Sequence, residues 1–176
     1  IYNPEQQPLK NPYAFGNAWF VDKLDMVDNA DAEIEALNTI DPLRTAVVDK
    51  RFQEDLEGFV PQKDSTATIV LEEYRPNRLT YKSKADKEQL AVFSEVYYQP
   101  GWKATVDGKE VPHFRADWIL RGMRVPAGEH TILFEFRPSG YVTAAYVSSY
   151  SSFLILLLLI AAIGWSGWKY WKKSKN

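Results

Sequence analysis

The chain has no cysteine among its 176 residues. Disulfides, thiolate catalysis and thiolate metal sites are therefore excluded. Export is not, because about 135 residues ahead of the final apolar run suffice for one real core without cross-links. Histidine is nearly absent as well. His113 and His130 belong to no H-x-x-x-H or H-E-x-x-H pattern, so the sequence carries no zinc motif. It has no glycine-rich phosphate loop, no nucleophile-elbow motif, no internal repeat and no low-complexity segment. The last shortage is of charge: none occurs from Pro138 to Trp168.

That uncharged stretch is the strongest signal in the sequence. Phe153 to Ile163 is almost purely aliphatic. About 20 apolar residues at 1.5 Å each cross a hydrocarbon core of roughly 30 Å. Tyr141, Tyr146 and Tyr150 lie before the aliphatic heart, and Trp165, Trp168, Tyr170 and Trp171 after it, like two interfacial belts. The alternative, a buried core helix of a soluble protein, fits less well, because core helices are rarely so long and uniformly apolar. Lys169, Lys172, Lys173 and Lys175 follow at once and predict a cytoplasmic C-terminus by the positive-inside rule. Residues 1–140 are then expected on the outer face of a cytoplasmic membrane.

No charged n-region and apolar h-region precede the folded part, and the first residue is Ile1. The expectation is a C-terminal piece of a longer membrane protein, delivered outward by upstream transmembrane helices. A mature domain whose signal was cleaved is the alternative. The net charge of −2 hides a split. Setting aside the four tail lysines leaves 17 of the 21 basic residues against 23 acidic ones, or −6 for the outer part. That argues against nucleic acid as a partner, which needs a basic face.

Residues 1–66 have a mixed α/β texture. Asn3-Pro4 and Asn11-Pro12 mark a turn-rich entry. Ala18 to Val21 and Thr45 to Val48 read as strands. Asn29 is placed to cap a helix running through Glu33, Ile34 and Leu37, with Asp31 and Glu33 in its first turn, and Asp41-Pro42 stops it. Phe52 to Ser65 reads as a loop. From 67 to 140 the texture is repeated strands. A run through Ile69, Val70 and Leu71 is followed by Arg78–Ser83, Leu90–Tyr98, Trp102–Val106, Lys109–Phe114, Trp118–Val125 and a last strand with Ile132, Phe134 and Phe136 on one face. Asp107-Gly108 supplies the positive-φ pair of a two-residue hairpin turn. The predicted fold is mainly β, an antiparallel sandwich or jelly roll with a short N-terminal α/β portion. A transmembrane helix over 141–168 and a basic tail over 169–176 complete the chain.

The stretches Tyr97–Lys109 (YYQPGWKATVDGK), Arg115–Arg121 (RADWILR) and Val125–Pro138 (VPAGEHTILFEFRP) resemble the C-terminal region of the YfhO family of bacterial membrane proteins. Asn11 to Val21 is similar to some of its members. The resemblance implies a polytopic protein like the GT-C glycosyltransferases, moving sugar from a lipid-linked donor to cell-envelope polymers. The catalytic acid of such enzymes lies in an early outer loop, which is not among these residues. The resemblance therefore implies that this part is the outer C-terminal domain. Since its own residues offer no catalytic or metal constellation, it is expected to be non-catalytic and without a cofactor. Its partners would be the membrane, the upstream helices, and a cell-envelope glycan or lipid-linked sugar.

Candidate site residues come from the residues themselves. Tyr98, Trp102 and Trp118 are placed to form an aromatic platform for the C–H faces of a sugar, with Asp107 and Asp117 bonding hydroxyls. Each has a plainer explanation. Trp102 shares a strand face with Ala104 and Val106, and Asp107 serves the turn. Arg115 and Arg121 suit a phosphate or lipid head group, or else surface ion pairs. Asp22, Asp25, Asp28 and Asp31 recur every three residues but lack calcium-loop spacing, which favours a solvated acidic face. Glu72 and Glu73 are expected on opposite strand faces, the wrong arrangement for an acid/base pair. Three roles remain open: a non-catalytic accessory domain, a carbohydrate-binding module, and a membrane-tethered structural or interaction domain.

Overall fold

A computed structural model describes Asn11 and residues 14–174. The expected turn at Asn3-Pro4, Pro12 of the second turn, and Lys175 of the basic tail lie outside the described residues. The chain divides into two compact units, residues 1–136 and residues 137–176.

The first unit is mostly antiparallel sheet. In chain order it contains β1 (Ala18–Val21), β2 (Lys23–Val27), α1 (Ala30–Ala36), β3 (Thr45–Asp49), a 3-10 helix (Lys50–Leu56), β4 (Thr68–Arg75), β5 (Arg78–Ala85), β6 (Gln89–Val96), β7 (Trp102–Val106), β8 (Lys109–Val111), β9 (Phe114–Ala116), β10 (Leu120–Val125) and β11 (Gly128–Phe136). One sheet has the order β1-β6-β10-β9, a second β4-β5-β11-β7-β8, and β2 pairs with β3 in parallel.

Two cores explain the layering. Tyr81, Ala104, Ile132 and Phe134 of the five-stranded sheet meet Ala91, Phe93 and Met123 of the four-stranded sheet. The other face of that four-stranded sheet carries Leu90, Val92, Phe114 and Ala116, which pack with Ala46 and Val48 of β3 and Leu56 of the 3-10 helix. The four-stranded sheet is thus covered on both faces. This is why Leu90–Phe93 is a continuous apolar run while β5 and β11 alternate. Tyr81, Phe93 and Phe134 form the aromatic heart of the first core, with centroids 4.9, 4.9 and 6.2 Å apart in edge-to-face contacts. Each such pair adds about 0.5–1.5 kcal/mol to the burial. Gly122 in β10 allows the close approach of Phe114, since a Cβ there would sit 2.4 Å from that ring.

Several expectations hold in detail. The hairpin turn falls at Asp107 (φ 51°) and Gly108 (φ 81°), between Val106 and Lys109. Asn29 caps α1 through Oδ1, which accepts from the Ala32 N–H at 2.9 Å. Others need correction. Lys109–Phe114 is not one strand: the chain leaves the five-stranded sheet after Val111 and enters the four-stranded sheet at Phe114. Pro112 has no N–H to continue the first ladder. Trp118 belongs to a turn, and the strand starts at Leu120. Part of the expected loop is the 3-10 helix, capped by Asp49 Oδ1 on the Arg51 N–H at 2.9 Å. The short strand β2, hidden in the acidic run, is fixed by its parallel register with β3. A bulge between Leu71 and Glu73 breaks the face alternation, and Glu72 and Glu73 pair separately with Lys82 (3.2 Å) and Arg75 (2.6 Å).

The second unit is α2, Ser139–Ser174. Its segment Thr143–Lys172 is long and apolar enough to cross a membrane. Ser151 and Ser152 donate their hydroxyls to the carbonyls of Val147 and Ser148 at 2.8 and 2.9 Å, which satisfies them without water. Near its C-terminal end Lys169 lies 5.9 Å from the Trp165 ring and Lys172 5.7 Å from the Trp168 ring, one helical turn apart in each pair.

Candidate functional site

The five residues singled out from the sequence fall in four places. Asp107 sits at the hairpin corner. Its Oδ1 accepts from the Thr131 N–H at 2.9 Å and its Oδ2 lies 2.6 Å from His130 Nδ1. The histidine ring also lies 2.9 Å from the Ala127 carbonyl through Nε2. The hydrogen bond to Asp107 raises the pKa of His130, and the same bond lowers that of Asp107. The carboxylate clamps the turn to β11.

Asp117 is buried. It exchanges two backbone-directed bonds with β3: its N–H donates to the Val47 carbonyl, and its Oδ1 accepts from the Val47 N–H, both at 2.8 Å. Burial pushes its carboxyl up to about 6, with the nearby Glu33 adding in the same direction. Asp117 and Trp118 both have positive φ, 51° and 71°. For a bulky residue such as Trp118 this is a genuine outlier. Glu33 holds it in place: Oε1 accepts from the Trp118 N–H at 3.0 Å, and Oε2 from Arg115 Nη2 at 2.5 Å. Asp49 adds a second carboxylate 3.5 Å from Arg115 and binds Arg51 at 2.6 Å. Glu33 and Asp49 are fully buried. Their role was not legible in the sequence, where Glu33 reads only as a first-turn acid of the helix.

Tyr98 and Trp118 are 54% and 41% exposed. The Tyr97 N–H donates to the Ile119 carbonyl at 2.7 Å, one step beyond the Val96–Leu120 pair. The two aromatic residues therefore lie on neighbouring backbone segments, beside the exposed Val96 and Ile119.

Trp102 is half-buried against the first core and Phe136, with ring centroids 5.3 Å apart. The Arg121 guanidinium stacks on it at 4.1 Å. Arg121, expected at the surface, is buried. Its Nε donates to the Val96 carbonyl at 3.0 Å, and it forms no salt bridge among the described residues. Sequence alternation could have flagged it, since Met123 and Val125 share its strand face and both are buried. Arg115, the other expected surface arginine, is mostly buried in its pair with Glu33.

Trp102 also lines a cleft of about 650 Å³ with Phe52, Asp55, Tyr97, Gln99 and His113. Tyr98, Asp107, Asp117 and Trp118 do not line it. The His113 ring packs edge-on against Tyr97 and Phe134, both at 5.7 Å. Burial and the Arg121 charge lower its pKa to about 4, so the imidazole is neutral at physiological pH. Among the described residues no cluster of three or more His, Asp or Glu is arranged to hold a metal. Of the acidic run, Asp22 pairs with Arg44 at 2.8 Å and Asp28 with Lys50.

A layered β domain followed by an apolar helix of membrane-spanning length defines a class of membrane protein. The family model for bacterial membrane protein YfhO matches residues 53–148, more than half of the chain. The chain belongs to the YfhO family. No curated protein and no solved structure matches it.

Proposed function

We propose that this chain is the non-catalytic, extracytoplasmic C-terminal domain and last transmembrane helix of a polytopic protein that transfers sugar from a lipid-linked donor to cell-envelope polymers. The observation that carries this reading is the family match running from the 3-10 helix through the sandwich into the apolar helix. Two aromatic belts support the span, and the lysines at its end support the orientation. Two experiments test it. Protease added to intact spheroplasts should digest residues before Tyr141 and spare the lysine tail. Deleting the domain from the full-length protein should abolish sugar transfer, while the 176-residue chain alone transfers none. Protection of the domain, or turnover by the chain alone, overturns the reading.

A second reading, a module that holds the acceptor glycan, is favoured by one observation. Tyr98 and Trp118 are exposed on adjacent backbone, and Trp118 is held out in a strained conformation by a buried carboxylate. Strain maintained by distant contacts often marks a functional position. Tyr98→Ala and Trp118→Ala, titrated with envelope glycans, test this. Binding that both variants retain excludes the tip as the binding surface.

A further inference from the structure

The cleft beside Trp102 has the chemistry of a ligand site. It lies between the 3-10 helix, the segment after β6, and β7–β8. Its volume falls within the range of small-ligand pockets, roughly 300–1,000 Å³. Phe52, Tyr97 and Trp102 supply aromatic surface. Phe52 and Tyr97 brace each other edge-to-face at 5.7 Å. Trp102 is fixed by Arg121 on its ring, so the aromatic wall is preorganised. The polar groups are of both kinds. Gln99 supplies an uncharged amide, both donor and acceptor. Asp55 forms no ion pair among the described residues, and burial raises its pKa.

The charges decide the class of ligand. The two cations that line the cleft are already engaged: Arg51 with Asp49 at 2.6 Å, and Lys103 with Glu110 at 3.0 Å. An anion would meet no free cation and would face Asp55. Two cations and two carboxylates, Asp55 and Glu110, leave the lining balanced. A ligand with apolar faces and many uncharged hydroxyls matches such a surface.

We propose that this cleft binds a short stretch of an uncharged glycan, its C–H faces against Trp102 and Tyr97 and its hydroxyls on Asp55 and Gln99. The proposal rests on the acceptor-holding reading and moves its centre from the exposed tip to the cleft.

The test uses the full chain in nanodiscs of phosphatidylethanolamine and phosphatidylglycerol, free of sugar-headed detergent. Chitotriose, maltotriose and mannotriose are titrated calorimetrically, with trigalacturonate and choline as charged probes. The indole N–H resonance of Trp102, assigned by its loss in Trp102→Phe, reports the location. At least one neutral trisaccharide should bind saturably and shift that resonance. Asp55→Asn and Gln99→Ala should each weaken it by about ten-fold, corresponding to about 1.4 kcal/mol. Their melting temperatures should match the wild type, whereas Tyr98→Ala and Trp118→Ala should leave affinity within about two-fold, on the scale of that relation. Binding lost in Tyr98→Ala and Trp118→Ala but kept in Asp55→Asn overturns the cleft and leaves the acceptor-holding reading standing. Preference for trigalacturonate or choline overturns the cleft's assignment to an uncharged ligand. Absence of all trisaccharide binding overturns both and leaves only the accessory role.

Discussion

Two tight turns in the sandwich begin alike and are built on different principles. Asp107-Gly108 joins β7 to β8, and Asp117, Trp118 and Ile119 join β9 to β10. Each starts with an aspartate at φ 51°. In the first, the next residue is a glycine, which takes φ 81° without steric cost. Its geometry is written in two adjacent letters, and the contacts to Thr131 and His130 only reinforce it. In the second, the next residue is a tryptophan at φ 71°. Locally it gains one bond, from the Ile119 N–H to the Asp117 carbonyl at 2.9 Å, which closes a γ-turn that is itself strained. It is held by Glu33, 85 residues earlier in the chain, and by the exchange of bonds between Asp117 and Val47, 70 residues apart. A turn specified locally is robust to distant changes. A turn specified by tertiary contacts stands only while a buried ionic network does.

The largest expected effect comes from breaking that network. Glu33→Ala removes the acceptor for the Trp118 N–H and leaves Arg115 buried with Asp49 as its remaining carboxylate. Chemical denaturation should show a loss of about 3–5 kcal/mol. A loss below about 1 kcal/mol, the level of a surface pair, would show that the second turn is held by something else. Next is pH. Asp117 has a folded-state pKa raised to about 6 from 3.8, so the folded protein holds its proton more tightly than the unfolded chain. Stability should therefore fall as pH rises from about 4 to about 6, by about 2–3 kcal/mol. Asp117→Asn keeps the acceptor for Val47 and suits positive φ. It should abolish this fall and be more stable than wild type at pH 7, and an unchanged pH profile would refute the assignment.

The local turn should give a smaller, purely steric response. Gly108→Val places a β-branched residue in the left-handed region and should cost about 1–3 kcal/mol in a denaturation midpoint. A change within error of zero would contradict the observed register. The finest test compares two variants of one position. Trp118→Gly and Trp118→Ala both delete the ring, so their difference isolates the backbone. The glycine variant should be more stable by about 1 kcal/mol. Equal stabilities would mean that the turn relaxes once the indole is gone.

The same contrast describes what could be read from the sequence. The Asn29 cap, the Asp107-Gly108 turn, the last strand and the apolar helix rest on neighbouring residues, and each appears where its local pattern puts it. The boundary between β8 and β9 was misread because Pro112 and His113 look like part of one extended run, and only the pairing partners reveal a change of sheet. Tyr98, Trp102, Asp107, Asp117 and Trp118 lie close in sequence, yet they divide among an exposed tip, a cleft wall, a hairpin clamp and a buried bridge to β3. Asp55 and His113, which stand with Trp102 in the cleft, carried no motif at all.

From the sequence by itself came the class of the molecule: a β-rich domain, a membrane-spanning length of apolar chain, and the segments that resemble the YfhO family. These are properties of composition, period and adjacent residues, which act over a few positions. The tertiary structure decided that the four-stranded sheet is covered on both faces, that Arg121 and Glu33 are buried, and which aromatic rings share a cleft. Those outcomes depend on which distant segments exclude water from one another. Burial of that kind is set by the pairing of the whole chain, and a strand's own letters do not carry it.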